Sequence, residues 1–453
     1  MMNLTSSQRK LVYLVLILIL LIPVLFLSQP ASKNSPGGKL AQVRKELRLN
    51  QSSMGDVDPS SAVMKVVLLG FRGVAADLLW IQAKEQEKKK EWGKYRATAN
   101  SILLLQPNFE DVWRYTGWDF SFNVSSVWDA VEDRYYWLKE GGKFLREGAN
   151  QNQYSAPIQW DIGRVLGQKI GIADERTFYR QYFKSDPDPQ YEGGTDPIFN
   201  PLNIDDNYLA AREDFKIANV RDETFGQQAM KRPIFRIYPI RSLISSASAM
   251  QHDGTFDEPR RLWTMAHNEL MSDEYGKYEF YEVEGKFHLY FDEETKEADI
   301  ARLAKENSEK KGREITIKEM NSIIEYYQVN TQFHYWLSRC VAEEDENTML
   351  AHKDIYEGKK LFQESNFDEA LKKLMSGMER YKTLLEKFPE YVTGDTEKLD
   401  EAMESVLYWS FIYDISPSFG AKPVDYPLKW LWNKNLEHVS GLNQRFRIDN
   451  QLN

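Results

Sequence analysis

Six histidines and one cysteine are the residues of this 453-residue chain best suited to acid–base, nucleophilic or metal chemistry. They are His252, His267, His288, His334, His352, His438 and Cys340. Two helical histidines that share a metal recur four apart, as in HExxH, so that both rings leave one face. No pair here has that spacing. His288 and Asp292 are four apart, but in a stretch that reads as a strand, where the spacing does not converge on an ion. His334 and Cys340 lie six apart on a predicted helix and point to different faces, whereas a nucleophile and its base must meet within hydrogen-bond reach. Cys340 therefore reads as a buried structural thiol. A fold could still bring His252-Asp253 and His267-Asn268-Glu269 together.

A single cysteine excludes an intramolecular disulfide and a CxxC zinc site. The glycine turns Gly70-Phe71-Arg72-Gly73 and Glu192-Gly193-Gly194 lack both the preceding strand and the following Lys-Ser/Thr pair of a phosphate loop. Asp186, Asp188 and Asp196 offer oxygens to a cation without EF-hand spacing. The sequence thus predicts no catalytic set, no cofactor and no metal site. It offers one candidate binding face, the alternative being that Trp118 and Phe122 are covered by a neighbouring helix or by the central insertion. Arg114, Trp118 and Phe122 follow at steps of four, which places them on one side of a helix. Arg and Trp are residue types enriched at binding hot spots.

Those residues must be held by elements, and the pattern is helical. Hydrophobic residues make up 42% of the chain, charged residues 28% and aromatics 13%, a globular balance richer in aromatic side chains than disordered chains are. The formal net charge is −10 with no offsetting basic stripe, so a nucleic-acid partner is not expected. Helical periodicity runs over Ala75–Lys89 and Lys94–Leu105, and Pro107 ends that pair with Asn108 placed to cap the next helix. Trp113, Thr116, Gly117 and Phe120 then match the W-x2-L-G-x2-Y spacing of tetratricopeptide repeats, with Thr for Leu and Phe for Tyr. Leu79 and Ala83 stand 34 residues before Trp113 and Gly117, the repeat period. A third unit begins near Trp160 and Gly163. A fourth spans Leu350–Pro389, where Asn366-Phe367-Asp368-Glu369 reads as a capping box. There Ala370, Leu374, Met378, Tyr381, Leu385 and Phe388 mark a continuous apolar face. A last helix is expected at Thr396–Tyr413.

Two regions differ. Lys184–Asn207 is acidic and proline-rich and predicts a long loop. Tyr278–Phe291 alternates about Glu284-Gly285-Lys286 and predicts a β-hairpin. At the N-terminus, Leu11–Leu27 is a 17-residue run without a charge, preceded by Arg9 and Lys10. It reads as an uncleaved transmembrane anchor, with a cleaved signal peptide as the alternative. The lipid bilayer is then a partner, and the main domain is expected on the non-cytoplasmic side.

Several short stretches, taken in order, carry a resemblance. They are Gly55-Asp56-Val57-Asp58-Pro59, Gly70-Phe71-Arg72-Gly73-Val74-Ala75, Leu78-Leu79-Trp80, Gln106-Pro107-Asn108-Phe109, Trp160-Asp161-Ile162-Gly163, Gln168-Lys169-Ile170-Gly171, Asp253-Gly254-Thr255-Phe256, and Tyr335-Trp336 followed by Arg339-Cys340. In these the chain resembles an uncharacterised family of membrane-anchored, tetratricopeptide-like bacterial proteins of planctomycete type. The resemblance implies the architecture and carries no assigned activity.

The expectation is therefore a mainly α protein. It comprises an N-terminal transmembrane helix (1–28), a linker or stalk (29–61), tetratricopeptide-like hairpins (62–173), an irregular central insertion with a small β-hairpin (174–346), and further tetratricopeptide-like helices with a tail (347–453). The function expected is a membrane-anchored scaffold holding a protein or peptide partner. The alternative is an enzyme with its active site in the central insertion.

Overall fold

The computed structural model describes residues 72–225, 233–272, 277–279, 286–291 and 294–450, together with 38–46 and scattered positions between 12 and 27. The described chain is mainly helical. It divides into two compact units, residues 1–230 and 231–453. That division falls inside the segment expected as one central insertion. Its first part packs into the first unit and its second part into the second.

The expected membrane anchor requires correction. A span needs ~20 consecutive apolar residues in one helix. Among the described residues no helix is long and apolar enough to cross a membrane. Much of Leu11–Leu27 and most of the 29–61 linker lie outside the described residues, as do the motifs between Gly55 and Phe71. Within the linker a short helix forms at Lys39–Glu46.

In the first unit, helices pair in sequence order. Helices α1 (Arg72–Lys88) and α2 (Trp92–Leu105) form one hairpin. Helix α3 (Glu110–Asp119) continues into a π-helical turn, Phe120–Val124, and packs on α4 (Val131–Gln151). Helix α5 (Ala156–Arg164) also runs into a π-turn, Val165–Lys169, and packs on α7 (Asn207–Phe225), with α6 (Arg176–Lys184) and a loop between them in sequence.

Close approach in the second hairpin depends on Gly117. A Cβ there would lie 2.5 Å from Leu145 Cγ and 3.1 Å from the Gly141 carbonyl oxygen on α4. Trp113 fills the groove alongside, nearly fully buried, and its Nε1–H donates to the Pro107 carbonyl at 2.8 Å, tying the helix start to the preceding turn. The cap is not Asn108. Phe109 takes the N-cap position without a side-chain bond, and the acidic Glu110 and Asp111 occupy the first turn.

The long loop after α6 is docked by charge. Lys139 on α4 is almost fully buried and donates to both carboxylate oxygens of Asp186 at 2.9 and 2.8 Å, with Asp196 3.8 Å away. Lys143 reaches Asp196 at 3.1 Å. Two of the three carboxylates that offered oxygens to a cation are thus matched by lysines.

In the second unit, α8 (Tyr238–His252) pairs with α9 (Asp257–Leu270). A short antiparallel ribbon follows, β1 (Lys277–Glu279) with β2 (Lys286–His288), in register Lys277↔His288 and Tyr278↔Phe287. Helices α10 (Lys296–Lys311), α11 (Ile317–Thr331) and α12 (Phe333–Glu343) lead to the longest hairpin contact, α13 (Glu346–Gln363) on α14 (Phe367–Lys387). Helix α15 (Thr396–Ile415) packs on α14, and α16 (Lys429–Lys434) and α17 (Leu436–Asp449) pack on α15.

The apolar face read on α14 is the buried one. Ala370, Leu374, Met378, Tyr381 and Leu385 sit in the core, with Phe388 packed at its edge. The capping box does not form, since Asn366 makes no side-chain cap bond. Ser365 before it is left-handed (φ 60°), and the Asn366 amide donates to the Leu361 carbonyl. The end of α13 has captured that residue.

Candidate functional site

The three residues singled out on α3 and its π-helical continuation do not share one role. Arg114 stays partly exposed but is tied down: its Nε–H donates to Asp161 on α5 at 2.6 Å. The Asp161 side chain is 9% exposed, and burial raises its pKa against the pull of Arg114. Arg114 therefore clamps α3 to α5. Trp118 and Phe122 remain half-buried and stack on each other, with ring centroids 5.8 Å apart and planes 19° from parallel.

These two rings belong to a longer ladder. Trp80 on α1 meets Tyr115 on α3 edge-on at 5.5 Å, and Tyr115 meets Trp118 at 6.3 Å. All four rings are half-buried. Cations are interleaved with them. Lys84 lies 3.2 Å from the Tyr115 centroid and pairs with Glu87 at 2.9 Å. Arg164 and Lys169 each lie 5.7 Å from the Phe122 centroid, and Arg164 also covers Trp160 at 5.2 Å. Arg164 approaches Asp161 only at 4.0 Å. Lys169 has no side-chain hydrogen bond or ion pair among the described residues. Burial holds its pKa below the usual lysine value, opposed by the nearby Glu175 and assisted by Arg134.

The elements explain the placement. The ladder runs across α1, α3 and the π-turn that continues α3. Helix α5, the first helix of the next hairpin, adds Arg164 beside Phe122. Phe122 and Lys169 stand on the two π-turns, which pack against each other. A π-turn inserts a residue, frees a carbonyl and shifts the side chains beyond it. Here the Ser125 hydroxyl donates back to the Ser121 carbonyl at 2.6 Å, and Asn207 Nδ2 donates to the Leu166 carbonyl at 2.8 Å. Local periodicity singled out Trp118 and Phe122, and it gave no sign of Arg164 and Lys169 as their companions, because those lie on another helix and its π-turn.

A second cluster lies in the second unit, and sequence reasoning missed it. His352 on α13 is 2% exposed. Its Nδ1 is 2.7 Å from Glu401 on α15, and its Nε2 is 3.2 Å from Glu343 on α12 and 3.1 Å from the Tyr391 hydroxyl. Tyr391 donates to Glu343 at 2.6 Å, and Gln251 on α8 donates to the same carboxylate at 3.0 Å. Arg339 bridges Glu343 and Asp395, 2.8 Å from each, and Lys398 lies 3.6 Å from both Glu343 and Glu401. Three carboxylates thus face Arg339, Lys398 and His352, and the charges balance when the imidazole is protonated. Burial disfavours that cation, but Glu401 and Glu343 outweigh it and raise the His352 pKa. Glu401 is held at about 2 and Glu343 well below the usual carboxylate value, because the cations overcome their burial. These groups occupy one another and tie α8, α12, α13 and α15 together.

The remaining candidates disperse. His267 pairs with Glu344 at 3.1 Å, His252 is exposed beside Asp253, and His334 is exposed while Cys340 is buried. Among the described residues no group of three or more His, Cys, Asp or Glu is arranged to hold a metal ion. No family model, no curated protein and no solved structure matches the chain.

Proposed function

We propose that this protein is a binding module in which tetratricopeptide-like hairpins hold an extended segment of a partner protein. One observation carries the reading. The half-buried rings Trp80, Tyr115, Trp118 and Phe122 form a continuous ladder across the first helices of consecutive hairpins. In tetratricopeptide arrays the first helices line the concave, partner-binding side. A glycine on the first helix against the second recurs in three hairpins. Gly117 faces Leu145, Gly163 faces Phe215 and Gly358 faces Leu374. That repetition supports a common hairpin design, in which removal of a side chain permits close helix approach. Half-exposed aromatic faces supply large contact area at low entropic cost, which suits them to partner recognition.

The test is capture of partner chains by the tagged full chain, compared with a Trp118→Ala/Phe122→Ala variant. The expected result is loss of the captured chains with cooperative unfolding retained. Equal capture by the variant and the parent would remove the ladder from the binding surface.

A further inference from the structure

The ladder is not electrically neutral along its length, and this bears on the partner. At the α1 end, Lys84 is matched by Glu87, and in the middle Arg114 is matched by Asp161. At the Phe122 end the balance fails. Asp161 is already committed to Arg114 at 2.6 Å and lies 4.0 Å from Arg164, while Lys169 has no ion pair among the described residues. Arg134, the next cation, is paired with Glu175, which also attracts Lys169 without bonding to it. Two carboxylates, Asp161 and Glu175, thus serve four cations, Arg114, Arg134, Arg164 and Lys169. Two cations thus share one half-buried aromatic ring with an excess of positive charge, in a chain whose net charge is −10.

We infer that the Phe122–Arg164–Lys169 corner receives a carboxylate side chain of the bound segment, next to an apolar or aromatic side chain that packs on Trp118. The partner is therefore an acidic peptide segment with interspersed apolar residues. The inference rests on the reading of the ladder as a docking surface. A carboxylate between the two cations gains charge-assisted hydrogen bonds, and the stacked rings provide apolar area beside it. The chain's overall acidity repels an acidic partner at long range, so the attraction is local and short-ranged, within about a Debye length of ~8–10 Å. Lys169 also offers a clean substitution, because its removal strands no internal partner.

The experiment selects 12-residue peptides from a random displayed library on the immobilised full chain, then measures the enriched peptides by fluorescence polarisation. The expected enrichment is Asp or Glu beside aromatic or large apolar residues, with affinity falling several-fold as salt rises. Lys169→Gln should weaken these peptides about tenfold, equivalent to about 1.4 kcal/mol, without moving the thermal midpoint. Lys169→Glu should shift the selected peptides toward Lys and Arg. Enriched peptides without an acidic excess, lost on Trp118→Ala/Phe122→Ala, would overturn the carboxylate inference and leave the docking reading standing. No enrichment, or enrichment indifferent to the ladder substitutions, would overturn both.

Discussion

At the scale of single residues, the contrast between Arg114 and Lys169 shows how partners decide a role. Both are cations beside the same aromatic stripe, yet one is bound to a buried carboxylate and the other to none. Arg114→Ala should strand Asp161 and cost about 1–3 kcal/mol, as for other buried polar groups left without a partner. Urea denaturation would measure it, and Arg114→Ala with Asp161→Asn should recover part of the loss. The stability of an Arg114 variant is therefore not expected to be unchanged, as a purely surface-exposed binding residue would allow. Trp118→Ala, at a half-buried ring, should cost ~1–2 kcal/mol, below the ~3–5 kcal/mol of a fully buried aromatic. His352 yields a pH signature. Its folded pKa is raised, so its contribution is fully present below the unfolded value of about 6.5 and is lost as pH rises through the folded value. Glu343 and Glu401 are depressed, so their contribution is present above about 4.5 and is lost as pH falls through their folded values. Stability from this cluster should therefore peak between about pH 4.5 and 6.5. His352→Gln should lower the denaturation midpoint in that window by an amount equivalent to about 3–5 kcal/mol and flatten the decline at higher pH. An unchanged alkaline limb would assign that decline to other groups.

At the scale of elements, glycine spacing and the π-turns matter most. Gly117→Leu drives a branched side chain into Leu145 and the α4 backbone, and overpacking of this kind costs about 1–3 kcal/mol. A near-neutral result in chemical denaturation would contradict the close α3–α4 approach. The π-turns set the azimuth of Phe122 and Lys169. Nothing in the apolar pattern marks them. Their carbonyls are taken up at different ranges: Ser125 bonds back locally to Ser121, and Asn207, 41 residues away, donates to the Leu166 carbonyl of the second turn. The capping box at Asn366 fails for a local reason. The left-handed Ser365 closes the preceding helix first.

At the scale of the molecule, two units each carry their own buried core. The second has a continuous one running through α13, α14, α15 and α17. Residues 231–453 expressed alone should show a helical far-UV spectrum and one cooperative urea transition. A gradual, non-cooperative loss of ellipticity would show that this unit requires the first. Net charge −10 should keep that fragment and the full chain soluble enough to measure near neutral pH.

By itself the sequence determined the helical class, most helix positions, the apolar face of α14, the long acidic loop, the small β-ribbon, and the burial of Cys340. These follow from local periodicity and turn chemistry, which act over a few residues. Tertiary structure alone decided which charges meet. His352 lies 9 residues from Glu343 and 49 from Glu401, and Arg114 lies 47 from Asp161. No spacing rule spans such intervals, because helix packing, not sequence separation, sets these distances. The same holds for Lys139 and the acidic loop, and for Arg164 and Lys169 at the end of the aromatic ladder. Their chemistry exists only where separate helices bring desolvated charges and rings within a few ångströms of one another.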